Sequence, residues 1–299
     1  MAAKEVSRLG IIGGSGLGQA LTASAQAGSE WVEVDTPFGK PSGPILLAEW
    51  SGTPIAFLSR HGPGHMLNPS AVPYRANIAA MKKLGVKRIL ASGATGSLRE
   101  DIHPGDLVIV DQIIDKTFRR PSTFFEKLAA HIELTDPVCP ALRKLLIGCA
   151  DSVHMKIHPT GTYVCMEGPQ FSTRAESLLH RSWGAHLIGM TAMPEAKLAR
   201  EAEMCYGLIG LPTDYDCWRP HDPSQSADKG ELLKTIFGNL QRATDAAVAL
   251  LKVAAERIGQ IDTTCECQEA LKLAIWSDKS KLDPAERSKL DVIAGKYLK

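Results

Sequence analysis

The alternation of apolar and polar segments predicts strands and helices in turn along the chain. Apolar or β-branched runs predict strands over 8–12, 45–50, 54–58, 88–91, 107–114, 160–166 and 206–211, and a strand that ends at Met190-Thr191. Apolar positions at helical spacing predict helices that begin near Val72 and over 140–150, 194–204 and 230–258. Strands alternating with helices are typical of an α/β fold. The polar, irregular segment 115–136 predicts a mobile or interface loop.

The pattern changes after residue 258, which divides the chain into a main domain, 1–258, and a C-terminal helical extension, 259–299. In the extension, a short polar link precedes two predicted helices, over about 268–276 and 284–297. Its apolar positions predict docking on the domain or on a neighbouring subunit, and they are Leu271, Ile275, Leu290, Ile293 and Leu298. The extension by itself indicates no function.

Composition and charge narrow the class of protein. The chain has 299 residues, of which 44% are hydrophobic and 22% charged, enough for one large α/β domain or two small ones. A net charge of +1 gives no electrostatic reason to expect nucleic acid or an anionic membrane as a partner. Since no apolar run reaches membrane-spanning length and the N-terminus lacks the apolar core of a signal peptide, we expect a cytoplasmic enzyme that acts on a small molecule.

The seven cysteines predict no metal site, because their sequence has no C-x-x-C pair and no histidines at zinc spacing. Most are interpreted as small buried apolar residues in a reducing compartment. Cys265-Glu-Cys267 is the exception, since two adjacent thiols either form a labile disulfide or stay free. Two free thiols are the favoured interpretation.

Three predicted strand ends carry groups that suit an anion. The first is the turn Gly13-Gly14-Ser15-Gly16, where backbone N–H groups approach a ligand closely and the serine adds a donor. The second, Arg60-His61, pairs a forked guanidinium with an imidazole. The third is the small-residue loop from Ser92 to Ser97. One anion bound by all three is the economical interpretation, and a plain turn and an exposed basic loop are the alternatives.

Two acids, Asp214 and Asp216, follow the strand 206–211. Acids in a loop are more often solvated turn residues, but here the large side chains of Tyr215 and Trp218 are interleaved with them. A desolvated carboxyl keeps its proton more readily and can act as a general acid. Because ligands of open α/β sheets bind where strands end, we expect these acids to share a cleft with Met190-Thr191.

The segment Met166-Glu167-Gly168-Pro169-Gln170-Phe171 also follows a predicted strand. Its aromatic ring and its carboxylate suit a flat ligand with hydroxyl groups. Ser172 or Thr173 can instead cap the next helix, with Glu176 completing a capping box. His131, taken alone, is interpreted as a surface or structural histidine.

Together these motifs resemble the purine nucleoside phosphorylase superfamily, and most closely its methylthioadenosine phosphorylase branch. The resemblance covers about residues 8–255. It rests on Gly13-Gly14-Ser15-Gly16, Arg60-His61-Gly62, Gly96-Ser97-Leu98-Arg99-Glu100, the segment from Glu167 to Glu176, Met190-Thr191, Pro194-Glu195 and the segment from Thr213 to Trp218.

The resemblance implies a single-domain, three-layer α/β fold with a mixed central sheet flanked by helices. It implies a homotrimer with active sites near the subunit interfaces. The implied reaction is reversible phosphorolysis of S-methyl-5′-thioadenosine to adenine and 5-(methylthio)ribose 1-phosphate, in methionine and purine salvage. Inorganic phosphate is the co-substrate, and neither a metal nor an organic cofactor is implied.

The resemblance also implies roles for individual residues. Those implied to hold phosphate are Ser15, Arg60, His61, Ser92, Gly93, Ala94 and Thr191. Those implied to contact the nucleoside are Glu167, Phe171, Ser172, Met190, Asp214 and Asp216, with His131 supplied by a neighbouring subunit. Asp214 would protonate N7 and Asp216 would bind the 6-amino group. The family leads us to expect a hydroxyl residue where Gly93 stands, so Ser92 or backbone N–H groups would serve there.

Other functions stay open on the sequence. A 6-oxopurine or methylthioinosine phosphorylase would share nearly every motif and would differ at the base-contacting acids. A hydrolase of the same superfamily would use water in place of phosphate, and a nucleotide-binding regulator would turn nothing over. A nicotinamide-linked dehydrogenase is disfavoured, because the glycine-rich turn lacks the third glycine of the dinucleotide fingerprint.

Overall fold

The computed structural model describes residues 8–14, 16–17, 28–219, 229–261 and 265–299. Its strands are β1 Arg8–Gly13, β2 Glu30–Val32, β3 Ile45–Trp50, β4 Thr53–Ser59, β5 Val86–Ser97, β6 Leu107–Ile109, β7 Gln112–Lys116, β8 Ile157–His158, β9 Thr162–Met166, β10 Leu187–Gly189 and β11 Cys205–Asp214. Its α-helices are α1 Tyr74–Lys83, α2 Pro140–Gly148, α3 Arg174–Ser182, α4 Ala192–Glu201, α5 Lys229–Arg257 and α6 Pro284–Ala294.

One mixed sheet of 11 strands forms the middle of the molecule. Its main path runs β2-β3-β4-β1-β5-β10-β9-β7, and β11 also pairs with β5. The strands β4, β1, β5 and β11 are parallel where they pair, whereas β2, β3 and β4 pair antiparallel and β10 runs antiparallel to the end of β5. The prediction of an α/β fold with a mixed central sheet is confirmed.

Helices cover both faces of this sheet because the central strands are apolar on both sides. All but the first residue of β1 and all but the last of β11 are buried, as expected for parallel strands enclosed by helices. Residues of α1 and α4 lie in one apolar cluster, and residues of α2 and α5 lie in another. The result is three layers. Within the described residues, no helix is both long and apolar enough to cross a membrane.

The central strand β5 is longer than the pattern predicts. Residues Ser92 to Ser97, predicted as a loop, continue the strand, and β11 pairs with it in parallel as far as Asp214 opposite Gly96. Small residues permit this close approach, since a Cβ atom on Gly96 would lie 3.0 Å from Cβ of Asp216. These small residues, which resemble a loop in the sequence, are therefore required for β11 to pack closely against β5.

The predicted strand 107–114 is wrong in its continuity. It divides into β6 and β7, which pair with different partners: β6 with β11 and β8, and β7 with β9. The polar pair Asp111-Gln112 interrupts the apolar run close to this division, and each half pairs with a different neighbour.

The C-terminal extension packs on the same chain. Its apolar residues Leu271, Leu290, Ile293 and Leu298 belong to the cluster that contains α1 and α4. The predicted helix over 268–276 is wrong, since only a short 3-10 turn, Glu266–Glu269, begins that stretch. The second helix exists as α6, and the Asp283 side chain caps it by accepting bonds from two backbone N–H groups. The domain boundary at residue 258 stays a prediction.

Candidate active site

The three predicted anion-binding elements meet at one edge of the sheet. Gly13 on β1 pairs with Ser59 on β4, and Ile12 pairs with Ala91 on β5, so the residues that follow lie side by side. A Cβ atom on Gly14 would lie 3.3 Å from Nη1 of Arg60 and 3.5 Å from the Ser92 carbonyl oxygen. Glycine thus lets the end of β1 approach the other two. Ser15 lies outside the described residues.

Arg60 is fully buried and is held in a fixed orientation. Its Nε and Nη2 donate to the two carboxylate oxygens of Glu195 at 2.7 and 2.8 Å, and Nη1 donates to the Ser92 carbonyl oxygen at 3.0 Å. The Tyr206 hydroxyl donates to the same carboxylate at 2.8 Å. Burial opposes the charge, but the Glu195 carboxylate outweighs it and raises the pKa of Arg60. The guanidinium is therefore a permanent, oriented positive charge.

His61 is neutral in this setting. Its Nδ1 lies 2.8 Å from the Leu67 carbonyl oxygen, and because a carbonyl oxygen only accepts, Nδ1 carries the proton. Burial, followed by the charge of Arg60, lowers the pKa of His61 to about 4. At neutral pH, Nε2 is consequently an acceptor that can bind an O–H group.

Two hydroxyl groups, those of Ser92 and Thr191, border the same anion-binding region. A Cβ atom on Gly93 would lie 3.4 Å from Oγ1 of Thr191, so the threonine hydroxyl lies against β5 beside the position where we expect a hydroxyl residue. The Ser92 hydroxyl is buried and has no hydrogen-bond partner among the residues that the structure describes. A buried hydroxyl without a partner costs about 1 to 3 kcal/mol, so it is suited to a ligand. Ala94, the next residue on this face of β5, is partly exposed.

Asp214 ends β11 with both oxygens engaged. Oδ2 accepts from the Thr213 hydroxyl at 2.7 Å, and Oδ1 accepts from the Asp216 backbone N–H at 2.7 Å. Burial raises the pKa of Asp214, against the opposing effect of these two bonds. The structure therefore shows the desolvation of Asp214 that the sequence predicts, and this desolvation favours the protonated form of the carboxyl.

Asp216 differs from its neighbour. Its φ of +50° lies in the left-handed region, which costs a non-glycine residue about 1 to 2 kcal/mol. Its Oδ2 is buried and lacks a hydrogen-bond partner within the described part of the chain. Strain and an unpaired acceptor together are typical of a residue that faces a ligand.

Glu167 is engaged by donors from its own chain. Its carboxylate accepts from the Ser70 hydroxyl, from the Phe118 backbone N–H at 2.8 Å and from Nε of Arg120 at 3.2 Å. Against the effect of burial, these donors lower the pKa of Glu167 to about 2. A substrate hydroxyl would compete with them, so the substrate contact of Glu167 stays a prediction.

Arg120 is a structural residue for which the sequence pattern predicts no role. It is buried, and its Nη1 donates to the carbonyl oxygens of Met190 and Met193 at 2.6 Å each. Its Nη2 donates to the Glu167 carbonyl oxygen at 2.5 Å. One side chain thus joins the loop after β7, the loop after β9 and the start of α4. The paired arginines in an otherwise irregular segment are the only sequence signal for it.

The structure also places the remaining residues that were predicted to contact the nucleoside. Met190 contacts Gly168, where a Cβ atom would lie 2.5 Å from the methionine sulfur. Phe171 is 85% exposed, and the Ser172 carbonyl oxygen accepts from the Cys217 thiol at 3.2 Å. His131 is exposed and packs on Trp276 of the extension, with ring centroids 4.6 Å apart. For Phe171 and His131, a substrate contact stays a prediction. The predicted capping box of Thr173 and Glu176 is confirmed.

Comparison with known proteins gives consistent matches. The model of the phosphorylase superfamily matches residues 8–252. The S-methyl-5′-thioadenosine phosphorylase of Cereibacter sphaeroides is 46% identical over 97% of this chain and 98% of its own, and that of Thermosynechococcus vestitus is 44% identical over 98% and 99%.

Solved structures are similar as well. A methylthioadenosine phosphorylase from an antarctic soil metagenomic library superposes with a TM-score of 0.87 at 43% identity, covering 97% of this chain and 99% of that one. A mutant of the adenosine/methylthioadenosine phosphorylase from Schistosoma mansoni, in complex with methylthioadenosine, superposes with a TM-score of 0.81 at 32% identity, covering 90% and 99%.

Proposed function

Because this chain belongs to the phosphorylase superfamily, we propose that it catalyses the reversible phosphorolysis of S-methyl-5′-thioadenosine to adenine and 5-(methylthio)ribose 1-phosphate. The enzyme is a pentosyltransferase, and the reaction would serve methionine and purine salvage. The observation that carries the proposal is the arrangement along β5. One part of this strand borders the buried Arg60, and Gly96, near its end, borders Asp214 at the end of β11 and Asp216 just beyond it.

The reaction transfers the sugar from the purine to phosphate. As the N9–C1′ bond breaks, positive charge builds on the sugar and negative charge on the purine, while a phosphate oxygen forms the new bond to C1′. The protein must therefore hold an anion on one side of the sugar and deliver a proton to the purine on the other. Inorganic phosphate is the proposed co-substrate, and no step of this chemistry calls for an organic cofactor.

Phosphate would be bound by unlike groups with complementary roles. Arg60 supplies a fixed positive charge, and the hydroxyls of Ser92 and Thr191 supply neutral donors. His61, with its proton on Nδ1, would accept the P–OH group of monohydrogen phosphate at Nε2. The backbone of Gly93 and Ala94 and the Ser15 hydroxyl complete the proposed set. Met190 would lie against the ribose.

The purine would be bound between the two acids. Asp214, whose pKa is raised by burial, would donate to N7 as the bond breaks. The unpaired Oδ2 of Asp216 would accept from the 6-amino group of adenine. A 6-oxopurine would place oxygen lone pairs against this carboxylate, at a cost of about 1 to 3 kcal/mol. Selectivity for 6-aminopurines follows.

The proposed assembly is a homotrimer with active sites near its interfaces. Phe118 and Phe171, on loops next to the proposed substrate site, are 80% and 85% exposed in the single chain. Both rings would lose their contact with water if a neighbouring subunit covered them, which supports the proposed interface. Light scattering that gives three times the chain mass would support the trimer. A monomer mass would contradict it.

A cytoplasmic location is also proposed. All seven cysteines are free thiols in the structure, which suits a reducing compartment. Cell fractionation tests this proposal, and recovery with secreted or membrane-bound proteins would contradict it.

The test of the proposed function uses four nucleosides in parallel. Purified enzyme is given methylthioadenosine, adenosine, methylthioinosine or inosine, each with and without phosphate, and base release is followed. We expect phosphate-dependent release of adenine, fastest from methylthioadenosine. Dominant hypoxanthine release would overturn the base assignment, release without phosphate would indicate a hydrolase, and no release would indicate a binding protein.

A further inference from the structure

Four of the seven cysteines converge on one place, away from the residues of the proposed active site. Cys139 precedes α2, Cys205 begins β11, and Cys265 and Cys267 come from the C-terminal extension. Their four sulfur atoms all lie within 4.8 Å of one another, and those of Cys139 and Cys265 are 3.7 Å apart. Three of the residues are buried and Cys265 is half-buried. The four thiols therefore form one compact cluster that is largely buried.

This geometry suits a tetrahedral metal ion. Four thiolates bound to zinc at about 2.3 Å lie about 3.8 Å from one another, so the observed cluster needs to contract by no more than about 1 Å. We propose that Cys139, Cys205, Cys265 and Cys267 bind one zinc ion. On binding, each thiol gives up its proton to solvent, and the sulfur lone pairs form four Zn–S bonds with no change of oxidation state.

The surroundings favour thiolate ligands. Cys139 is the N-cap residue of the nine-residue helix α2, whose positive end stabilises a negative charge. The side-chain amide of Gln268 lies 4.0 Å from the sulfur of Cys205, the placement of an N–H···S bond to a ligand. Helix and amide come from different parts of the chain, yet both are directed at the sulfurs.

The site would be structural. Four protein ligands leave no open position for substrate, which distinguishes structural from catalytic zinc. The ion would join the extension, through Cys265 and Cys267, to the start of α2 and the start of β11. The extension would then be attached to the main domain through metal–sulfur bonds, an attachment that its sequence pattern does not predict. The inference is independent of the proposed phosphorolysis.

The first test measures the metal itself. Protein purified under reducing conditions is dialysed against metal-free buffer and analysed for metals by plasma mass spectrometry. We expect about one zinc per chain. The double variant Cys265→Ser/Cys267→Ser should retain less than about one-tenth of it, because two of four ligands are gone. Cys149→Ser is the matched control, since Cys149 is another buried cysteine outside the cluster, and it should retain the zinc.

A second test avoids variants that fold poorly. Wild-type protein is stripped with a chelator under reducing conditions and titrated with Co²⁺, and we expect the visible absorption of tetrahedral cobalt thiolate, abolished by added Zn²⁺. The unfolding temperature should fall on stripping and return with Zn²⁺. Two findings would overturn the proposal: four free thiols that take up neither ion, or disulfides among these four cysteines in intact-mass and peptide analysis of protein prepared without reductant.

Discussion

Asp214 and Asp216 stand two residues apart, but their surroundings suit them to opposite tasks. Asp214 accepts two hydrogen bonds from its own chain, and burial raises its pKa. Asp216 keeps one buried oxygen without a partner among the described residues, on a left-handed backbone. The first is suited to deliver a proton and the second to accept a hydrogen bond. The sequence, which has an aspartate at both positions, predicts neither the hydrogen bonds of Asp214 nor the unpaired oxygen of Asp216.

We expect Asp214→Asn to lower kcat by about a hundredfold to ten-thousandfold, because an amide cannot deliver the proton to N7. The substitution is nearly isosteric, and the amide oxygen can still accept from the Asp216 backbone N–H. The amide N–H can donate to the Thr213 hydroxyl, whose own proton can turn to the Thr95 carbonyl oxygen at 3.3 Å. The unfolding temperature should therefore stay within a few degrees of the wild type. Steady-state kinetics and a thermal melt measure the two quantities. Turnover close to that of the wild type would remove Asp214 from the proposed role.

Asp216→Asn should change selectivity more than turnover. An amide N–H can donate to a 6-oxo group, so the ratio of kcat/KM for methylthioinosine to that for methylthioadenosine should rise by about tenfold or more. The measurement is kcat/KM for both nucleosides in variant and wild type. An unchanged ratio would show that this side chain does not contact position 6 of the purine.

At the scale of elements, the site depends on bonds between distant segments. Arg60 at the end of β4 is fixed by Glu195 in α4, 135 residues along the chain, and Tyr206 on β11 supports the same carboxylate. The sequence predicts most of these elements and marks Arg60 as an anion ligand. It predicts no role for Glu195 or Tyr206, because a pairing over such a separation leaves no local pattern.

The forked geometry of Arg60 makes Arg60→Lys a sharp test. Lysine keeps the charge but cannot bridge both Glu195 oxygens while it faces an anion, so KM for phosphate should rise by about tenfold or more. KM for the nucleoside should change less. Arg143→Lys, a partly buried arginine beside Asp111, is the control. Equal effects of the two variants on KM for phosphate would contradict the assignment.

Glu201, the last residue of α4, makes stability depend on pH. It binds the loop after β7 by accepting from the Thr123 hydroxyl and the Phe124 N–H at 2.7 Å each, and burial raises its pKa to about 7. In the unfolded chain, Glu201 has its ordinary pKa near 4.5, so between about pH 4.5 and 7 the folded state keeps a proton that the unfolded state has released. The free energy of unfolding should therefore fall as pH rises from about 4.5 through 7.

The size of this effect is about 3 kcal/mol at most. Glu201→Gln does not titrate, so its stability should lack this part of the decline. Urea unfolding at pH 5 and pH 8 measures the difference. The same pH dependence in variant and wild type would show that Glu201 is ionised throughout.

At the scale of the whole molecule, the sequence predicts the α/β class and the order of most elements, because apolar periodicity reports burial directly. It does not predict tertiary choices. The stretch 268–276 is not a helix, since the N–H of Trp276 donates to Ala129 and the N–H of His131 donates to Ala274. Likewise Cys139 and Cys265, 126 residues apart, cannot be grouped from their spacing. Both features depend on how the C-terminal extension lies on the domain.

The central claim is that phosphate, and not water, receives the sugar. Its most direct measurement is ³¹P NMR of the enzyme with methylthioadenosine and inorganic phosphate, with adenine followed in the same sample. We predict a sugar 1-phosphate resonance that grows one-for-one with adenine as the inorganic phosphate resonance declines. Adenine release with no loss of inorganic phosphate would contradict the account.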